Sequence, residues 1–139
     1  MNDIEKLIGD LIDHETLAFI GSIDDEGYPN IKAMLAPRKR EKLKIFYFTT
    51  TSSSIKMDHY KENPKSSIYF CNHNSFTGIM FKGKMEILTD YETKKMIWRE
   101  GDQEYFLGGI DDPDFSVLKF TAESGRYYSN FKSESFEID

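Results

Sequence analysis

A chain of 139 residues with 39% hydrophobic and 14% aromatic content is long enough to bury a core and too apolar to be disordered. Its net charge of -6 argues against a nucleic-acid backbone as a partner, and the basic cluster Arg38-Lys39-Arg40, with Lys42 and Lys44 nearby, reads as a solvated hairpin loop. The one cysteine, Cys71, excludes an internal disulfide framework, and no apolar run approaches the ~20 residues needed to span a bilayer. The N-terminal stretch Met1-Asn-Asp-Ile-Glu lacks the basic and apolar regions of a secretory leader, so a cytoplasmic protein without membrane contact is expected.

Ile4, Leu7, Ile8, Leu11 and Ile12 recur at helical spacing behind Asp3, a candidate cap, and predict a short amphipathic helix. Thr16 to Ile23 alternates as a strand, with Leu17, Phe19 and Ile23 on one face and Ala18 and Ile20 on the other. Asp24-Asp25-Glu26-Gly27 supplies turn chemistry, and Pro29 to Leu35 returns as a second strand. Leu43 to Thr49 is the third, and its row of Ile45, Phe46, Tyr47 and Phe48 predicts burial on both faces. A helix follows over Met57 to Asn63, stopped by Pro64, and Ser66 to Asn72 is a fourth strand.

Thr77 to Leu88 is the longest alternating run. Ile79, Phe81, Met85 and Ile87 share one face, Lys82, Lys84 and Glu86 the other, and Gly83 marks a bend or a close backbone approach. Asp90 opens a helix carrying Met96, Ile97 and Trp98, and Gly101 to Asp114 is irregular. Phe115 to Ala122 and Arg126 to Ser129 are strands, and Ser135 to Ile138 is a last short one. No repeat or linker divides the chain, which is read as one domain over residues 1–139. Short strands joined by hairpins, with few helices, predict a mainly β fold: an antiparallel sheet closing into a small barrel, which also removes exposed edges. Eleven Phe and eight Tyr exceed what so small a core needs, so some are expected in a subunit interface or against a flat ligand.

Between the third strand and its helix lies Phe48-Thr-Thr-Thr-Ser-Ser-Ser-Ile-Lys56. Amides at a helix start lack internal partners and the helix dipole favours an anion there; hydroxyls add donors and Lys56 a full charge. That chemistry suits a phosphate group. It equally suits a plain N-cap at Ser54 in a soluble loop.

Around this segment stand Asp24-Asp-Glu-Gly-Tyr-Pro-Asn30, Ile45-Phe-Tyr-Phe-Thr-Thr50, Ser54-Ile-Lys56, Asn63-Pro64, Lys82-Gly-Lys-Met-Glu86 and Gly108-Gly-Ile-Asp-Asp-Pro-Asp-Phe115. In this order and spacing, over nearly the whole chain, the sequence resembles the pyridoxamine 5'-phosphate oxidase-like superfamily of FMN-binding split β-barrels. Its short branch, which includes general stress proteins, is the nearer likeness. The resemblance implies a six-stranded antiparallel split barrel with flanking helices and FMN at the interface of a homodimer. It also implies an oxidoreductase exchanging electrons with small-molecule donors and acceptors. It puts Ser54 and Lys56 at the FMN phosphate with Lys32 as a second cation. Phe48, Thr49 and Thr50 fall beside the flavin and ribityl chain, and Ala33 and Met34 where the backbone faces the isoalloxazine ring. A non-catalytic flavin, haem or deazaflavin carrier, or a stress sensor, keeps the same fold.

The chain departs from the longer vitamin-processing oxidases at three places. Ile55 replaces a usual basic residue, Gly78 stands where a flavin-contacting glutamine is common, and the chain ends at Asp139 without the segment that closes over pyridoxine phosphate. Oxidation of that substrate is therefore not expected.

The remaining candidates read as structural. Cys71 and His73 are two ligand types on one strand end and do not make a metal site; His14 and His59 show no spacing that completes one. His59 reads as a surface or dimer-contact residue on the helix face of Lys56. Trp98 reads as a core anchor, Tyr127 and Tyr128 are divided between core, interface and site rim, and Asp111, Asp112 and Asp114 are turn and cap residues. No catalytic residue is assigned; a bound flavin would itself carry the electrons.

Overall fold

The computed structural model describes residues 3–139; Met1 and Asn2, the start of the N-terminal stretch read above, lie outside them. Helix α1 (Asp3–His14) buries Ile8 and Ile12 and leaves Leu7 and the Lys6–Asp10 pair in water, as its amphipathic spacing requires. Strands β1 (Leu17–Ile23) and β2 (Pro29–Leu35) form a hairpin. Asp24 closes it by accepting from the amides of Glu26 and Tyr28 at 3.0 and 2.9 Å, and Gly27 takes the left-handed conformation, φ 84°. Of the two faces of β1, the one carrying Ala18, Ile20 and Ser22 is buried.

The basic cluster is not a solvated loop. Lys39–Glu41 forms a short strand, β3, against β4 (Ile45–Thr51), and each arginine meets a carboxylate. Arg38 holds Asp102 through two contacts of 2.8 Å, and Arg40 holds Asp13 of α1 at 2.8 Å. Guanidinium forks paired in this bidentate way make packed tethers out of what composition alone reads as a solvated charge run.

Then follow α2 (Ile55–Glu62), β5 (Lys65–Asn72), β6 (Thr77–Leu88), α3 (Tyr91–Ile97), 3-10 turns at Asp102–Glu104 and Gly109–Asp111, β7 (Phe115–Ser129) and β8 (Lys132–Glu137). All the pairings are antiparallel, in the order β2-β1-β5-β6-β7-β4-β3, with β8 on the second half of β7. The fold is mainly β, but the sheet has eight strands rather than six and does not close. The short β3 is an added strand, whereas Phe115 to Ser129, read from the sequence as two strands, is one, because β6 pairs with Ser124, Gly125 and Arg126 where the sequence suggests a break. Asn130 and Phe131, both with positive φ, make the tight turn that lets β8 begin at Lys132 instead of Ser135.

The sheet curls strongly. Phe46 of β4 and Phe70 of β5 lie 5.9 Å apart although β6 and β7 separate their strands. Phe46, Phe48, Phe81 and Phe120 fill the interior with Ile8 and Ile12 of α1 and Met57 and Tyr60 of α2. On the other side of β4 and β7, Tyr47, Ile97, Phe106, Phe115 and Val117 form a second cluster, with Trp98 set edge-on to Phe115 at 5.2 Å. β4 is thus buried on both faces, and Trp98 is an anchor of α3. Gly83 sits at a register shift where an added Cβ would stand 2.1 Å from the Thr121 carbonyl oxygen, so it is both a bend and a close approach.

Candidate functional site

The β1–β5 ladder consists of Phe19↔Tyr69 and Ile20↔Ile68, and the two strands then part. The Gly21 carbonyl beyond that point accepts instead from the Tyr60 hydroxyl at 2.9 Å and the Ser66 hydroxyl at 2.7 Å. Burial pushes the Tyr60 phenol up to about 12, which keeps it a donor. Side-chain bonds of this kind satisfy the backbone while holding the strands apart. The split opens a cleft of about 630 Å3 and, against α2, a smaller cavity of about 220 Å3.

The smaller cavity gathers the cations. From the β1–β2 hairpin come Ser22, Asn30 and Lys32; from the start of α2 come Ser54, Lys56 and His59. Ser22↔Asn30 and Ile20↔Lys32 are register pairs, so alternation along both strands puts these polar groups on the one face that meets the helix. Ser54 has the extended backbone of a cap, φ -71° and ψ 146°, yet its hydroxyl bonds no helix amide. It accepts from Lys56 Nζ at 2.7 Å instead.

Lys56 is only 5% exposed and forms no ion pair with a carboxylate among the described residues. Burial, and secondarily the charge of Lys32, push its ammonium down to about 8. Two cations facing one small cavity, one of them buried, make it a candidate anion site.

The hydroxyl-rich segment is only partly a turn. Thr49, Thr50 and Thr51 continue β4 and pair with Val117, Ser116 and Phe115, because threonine suits a strand and β7 supplies the ladder. The turn proper is Ser52 to Ser54, and the Gly108–Phe115 segment holds it. Ser52 N–H donates to the Asp114 carbonyl at 2.8 Å, Ser53 N–H to the Asp114 carboxylate at 3.0 Å, and the Ser52 hydroxyl to the Pro113 carbonyl at 2.9 Å. Asp112 in turn accepts from the amides of Gly108 and Asp114. These acidic residues act as turn and cap residues, and among the described residues no three His, Cys, Asp or Glu side chains gather in a metal-binding group.

Of the residues singled out from sequence, Lys32, Ser54 and Lys56 share the cavity. Phe48 is fully buried in the main core, and Thr49 and Thr50 lie on the adjoining strand outside the cavity lining. Ala33 and Met34 follow Lys32 along β2; Ala33 is exposed and Met34 packs partly against the core. Gly78 is roofed by Tyr69, whose hydroxyl lies 2.1 Å from where a Cβ would be, so a larger residue 78 would displace that ring. Ser22, Asn30, His59 and Tyr60 are the polar cavity residues that sequence reasoning did not assign to the site. Their signal was present in the period-2 alternation Asn30–Lys32 and the i, i+3 spacing Lys56–His59, but it has meaning only once the hairpin is known to meet α2.

Residues 4–129 match the sequence profile of the pyridoxamine 5'-phosphate oxidase family. Among solved structures, a Clostridium acetobutylicum protein related to general stress protein 26, of the pyridoxinephosphate oxidase family, is 40% identical. The match covers 97% of this chain and 96% of that one, with a TM-score of 0.87. General stress protein 26 from Bacillus anthracis is 17% identical, over 99% of this chain and 100% of that one, with a TM-score of 0.81. A pyridoxamine 5'-phosphate oxidase-related, FMN-binding protein from Nostoc punctiforme is 12% identical over 100% and 98%, with a TM-score of 0.77. No curated protein matches the chain.

Proposed function

The chain belongs to the pyridoxamine 5'-phosphate oxidase family, and from that premise we propose that it is an FMN-binding oxidoreductase holding its flavin at a homodimer interface. One observation carries the reading: the buried Lys56 ammonium, supported by Ser54, faces the same small cavity as Lys32. The buried Lys56 cation, with exposed Lys32 beside it, is costly until an anion joins it, and a phosphate monoester carries close to two negative charges at neutral pH. The Ser54 hydroxyl and the amides of the first turn of α2 add donors, so the residues present fit an FMN phosphate.

Strand β2 supports the placement of the flavin and of a partner. It is one edge of the sheet, and it shows Ile31 at 77% and Leu35 at 69% exposure on either side of Ala33. An apolar edge strand of this kind is a liability unless covered. A second copy of the chain, with the flavin ring between the subunits, covers it. FMN, when bound, supplies the electron transfer. The chain's own part is to neutralise the phosphate with Lys32 and Lys56, fix the turn through Asp114, and present the ring against β2.

Purified protein reconstituted with FMN tests this directly. A yellow, stoichiometric complex with a perturbed flavin spectrum is expected, with riboflavin bound much more weakly. Protein that stays colourless after reconstitution sinks the proposal. Steady-state oxidation of reduced nicotinamide with a panel of acceptors then tests turnover, and flavin that no small-molecule donor reduces would leave a binding protein instead of an oxidoreductase.

A further inference from the structure

His59 is read from sequence as a surface or dimer-contact residue, but its ring lines the anion cavity beside Lys56 and Lys32. Its Nδ1 lies 2.7 Å from the Ser22 hydroxyl, which fixes the ring plane. Nε2 has no hydrogen-bond partner among the described residues. We propose that His59 is the titratable member of the phosphate cradle: Ser22 orients it through Nδ1, and it takes up a proton when a phosphate monoester binds, adding a third positive charge to those of Lys32 and Lys56. This rests on the anion-site reading above.

The charges around the ring favour that behaviour. Before an anion binds, Lys56 on α2 and Lys32 on β2 oppose a further cation. Tyr60, the next residue of α2, lines the same cavity as a neutral phenol. From the β1–β2 turn, Asp24 favours one weakly. Its carboxyl is held low chiefly by the Asn30 side chain, then by the Tyr28 amide, and only slightly by His59, and it is open to solvent. A bound dianion reverses the balance, since its charge acts at short range inside the cavity and offsets both lysines. Histidine is the side chain able to exchange a proton in this way near neutral pH. In the imidazolium both nitrogens donate, so Ser22 accepts from Nδ1 and Nε2–H remains for the anion.

Two measurements test it. In wild-type protein labelled at histidine, inorganic phosphate added at pH 7 should move the His59 ring signals toward the imidazolium position, without any variant that might misfold. FMN affinity measured by fluorescence quenching should improve roughly threefold between pH 7.5 and 6.5 through the linked proton. That gain should vanish in His59→Gln, which keeps a hydrogen-bonding side chain, and riboflavin binding should show no such difference between the two proteins. Phosphate and FMN that bind normally while the His59 signals stay still, or while His59→Gln keeps the full pH dependence, overturn the inference and leave the phosphate site standing. Wild-type protein that binds neither phosphate nor FMN overturns both.

Discussion

Lys56 is the residue at which stability and the proposed phosphate binding are opposed. Its ammonium is disfavoured in the folded chain, so between about 8 and its ordinary value of 10.5 the unfolded chain holds more protons. The sign follows: stability of the cofactor-free protein should rise as pH climbs through that window, whereas below it the penalty is constant. Lys56→Met should therefore raise the Tm of cofactor-free protein at pH 7 by a few degrees, on the order of 1–2 kcal/mol, while weakening FMN. Calorimetry with and without FMN would check both halves, and a lower Tm for the apo variant would show that the ammonium is not strained. The Ser54→Ala, Lys56→Ala double variant removes both the cation and its hydroxyl partner. Its FMN affinity should fall at least tenfold with circular dichroism unchanged; unaltered affinity would put the phosphate elsewhere.

At the scale of elements, the irregular stretch between α3 and β7 is ordered by one ion pair. Arg38 grips both oxygens of Asp102 and also donates to the Ile97 carbonyl, Asp102 accepts from the Arg99 amide, and Arg99 donates back to the Arg38 carbonyl. Asp102→Ala leaves a largely buried guanidinium unpaired and should cost about 3–5 kcal/mol in urea unfolding. The Arg38 hydrogen bonds hold the Asp102 carboxyl below its ordinary value of 3.8. Its stabilisation is therefore complete above that value and is lost as pH falls through the depressed one, a loss the Asp102→Ala protein should not show. Gly83→Ala tests the bulge: with Thr121 backbone in the way, the sheet must shift, and a loss of more than about 2 kcal/mol is expected.

For the molecule as a whole, the exposed β2 edge is where we propose that a second copy docks. Ile31→Glu with Leu35→Glu places charges on the strand that we assign to the partner and the flavin. Light scattering should report a dimer for wild type and a monomer for the variant, which should also lose FMN although its phosphate residues are intact. A wild-type monomer that nonetheless binds FMN would separate the flavin from any interface.

What the chain determines by itself is local. Period-2 runs such as Thr77–Leu88, the Asp24 and Asp90 caps and turns, and the apolar row of β4 specify their elements because each depends on neighbours a few residues away. Sequence also placed Lys32, Ser54 and Lys56 in one role, through the likeness of ordered motifs. What only the tertiary structure decided depends on pairs far apart in the chain. Arg38 and Arg40 become tethers because Asp102 and Asp13 are there to meet them, β7 runs unbroken because β6 pairs along it, and Thr50 is strand because β7 lies beside it. His59 joins the cavity for the same reason: Ser22, 37 residues earlier, is brought to its ring where β1 parts from β5. Charge and hydroxyl content can be read along one dimension. Which of those groups end up around one cavity is settled only when the strands part and the helix covers the gap.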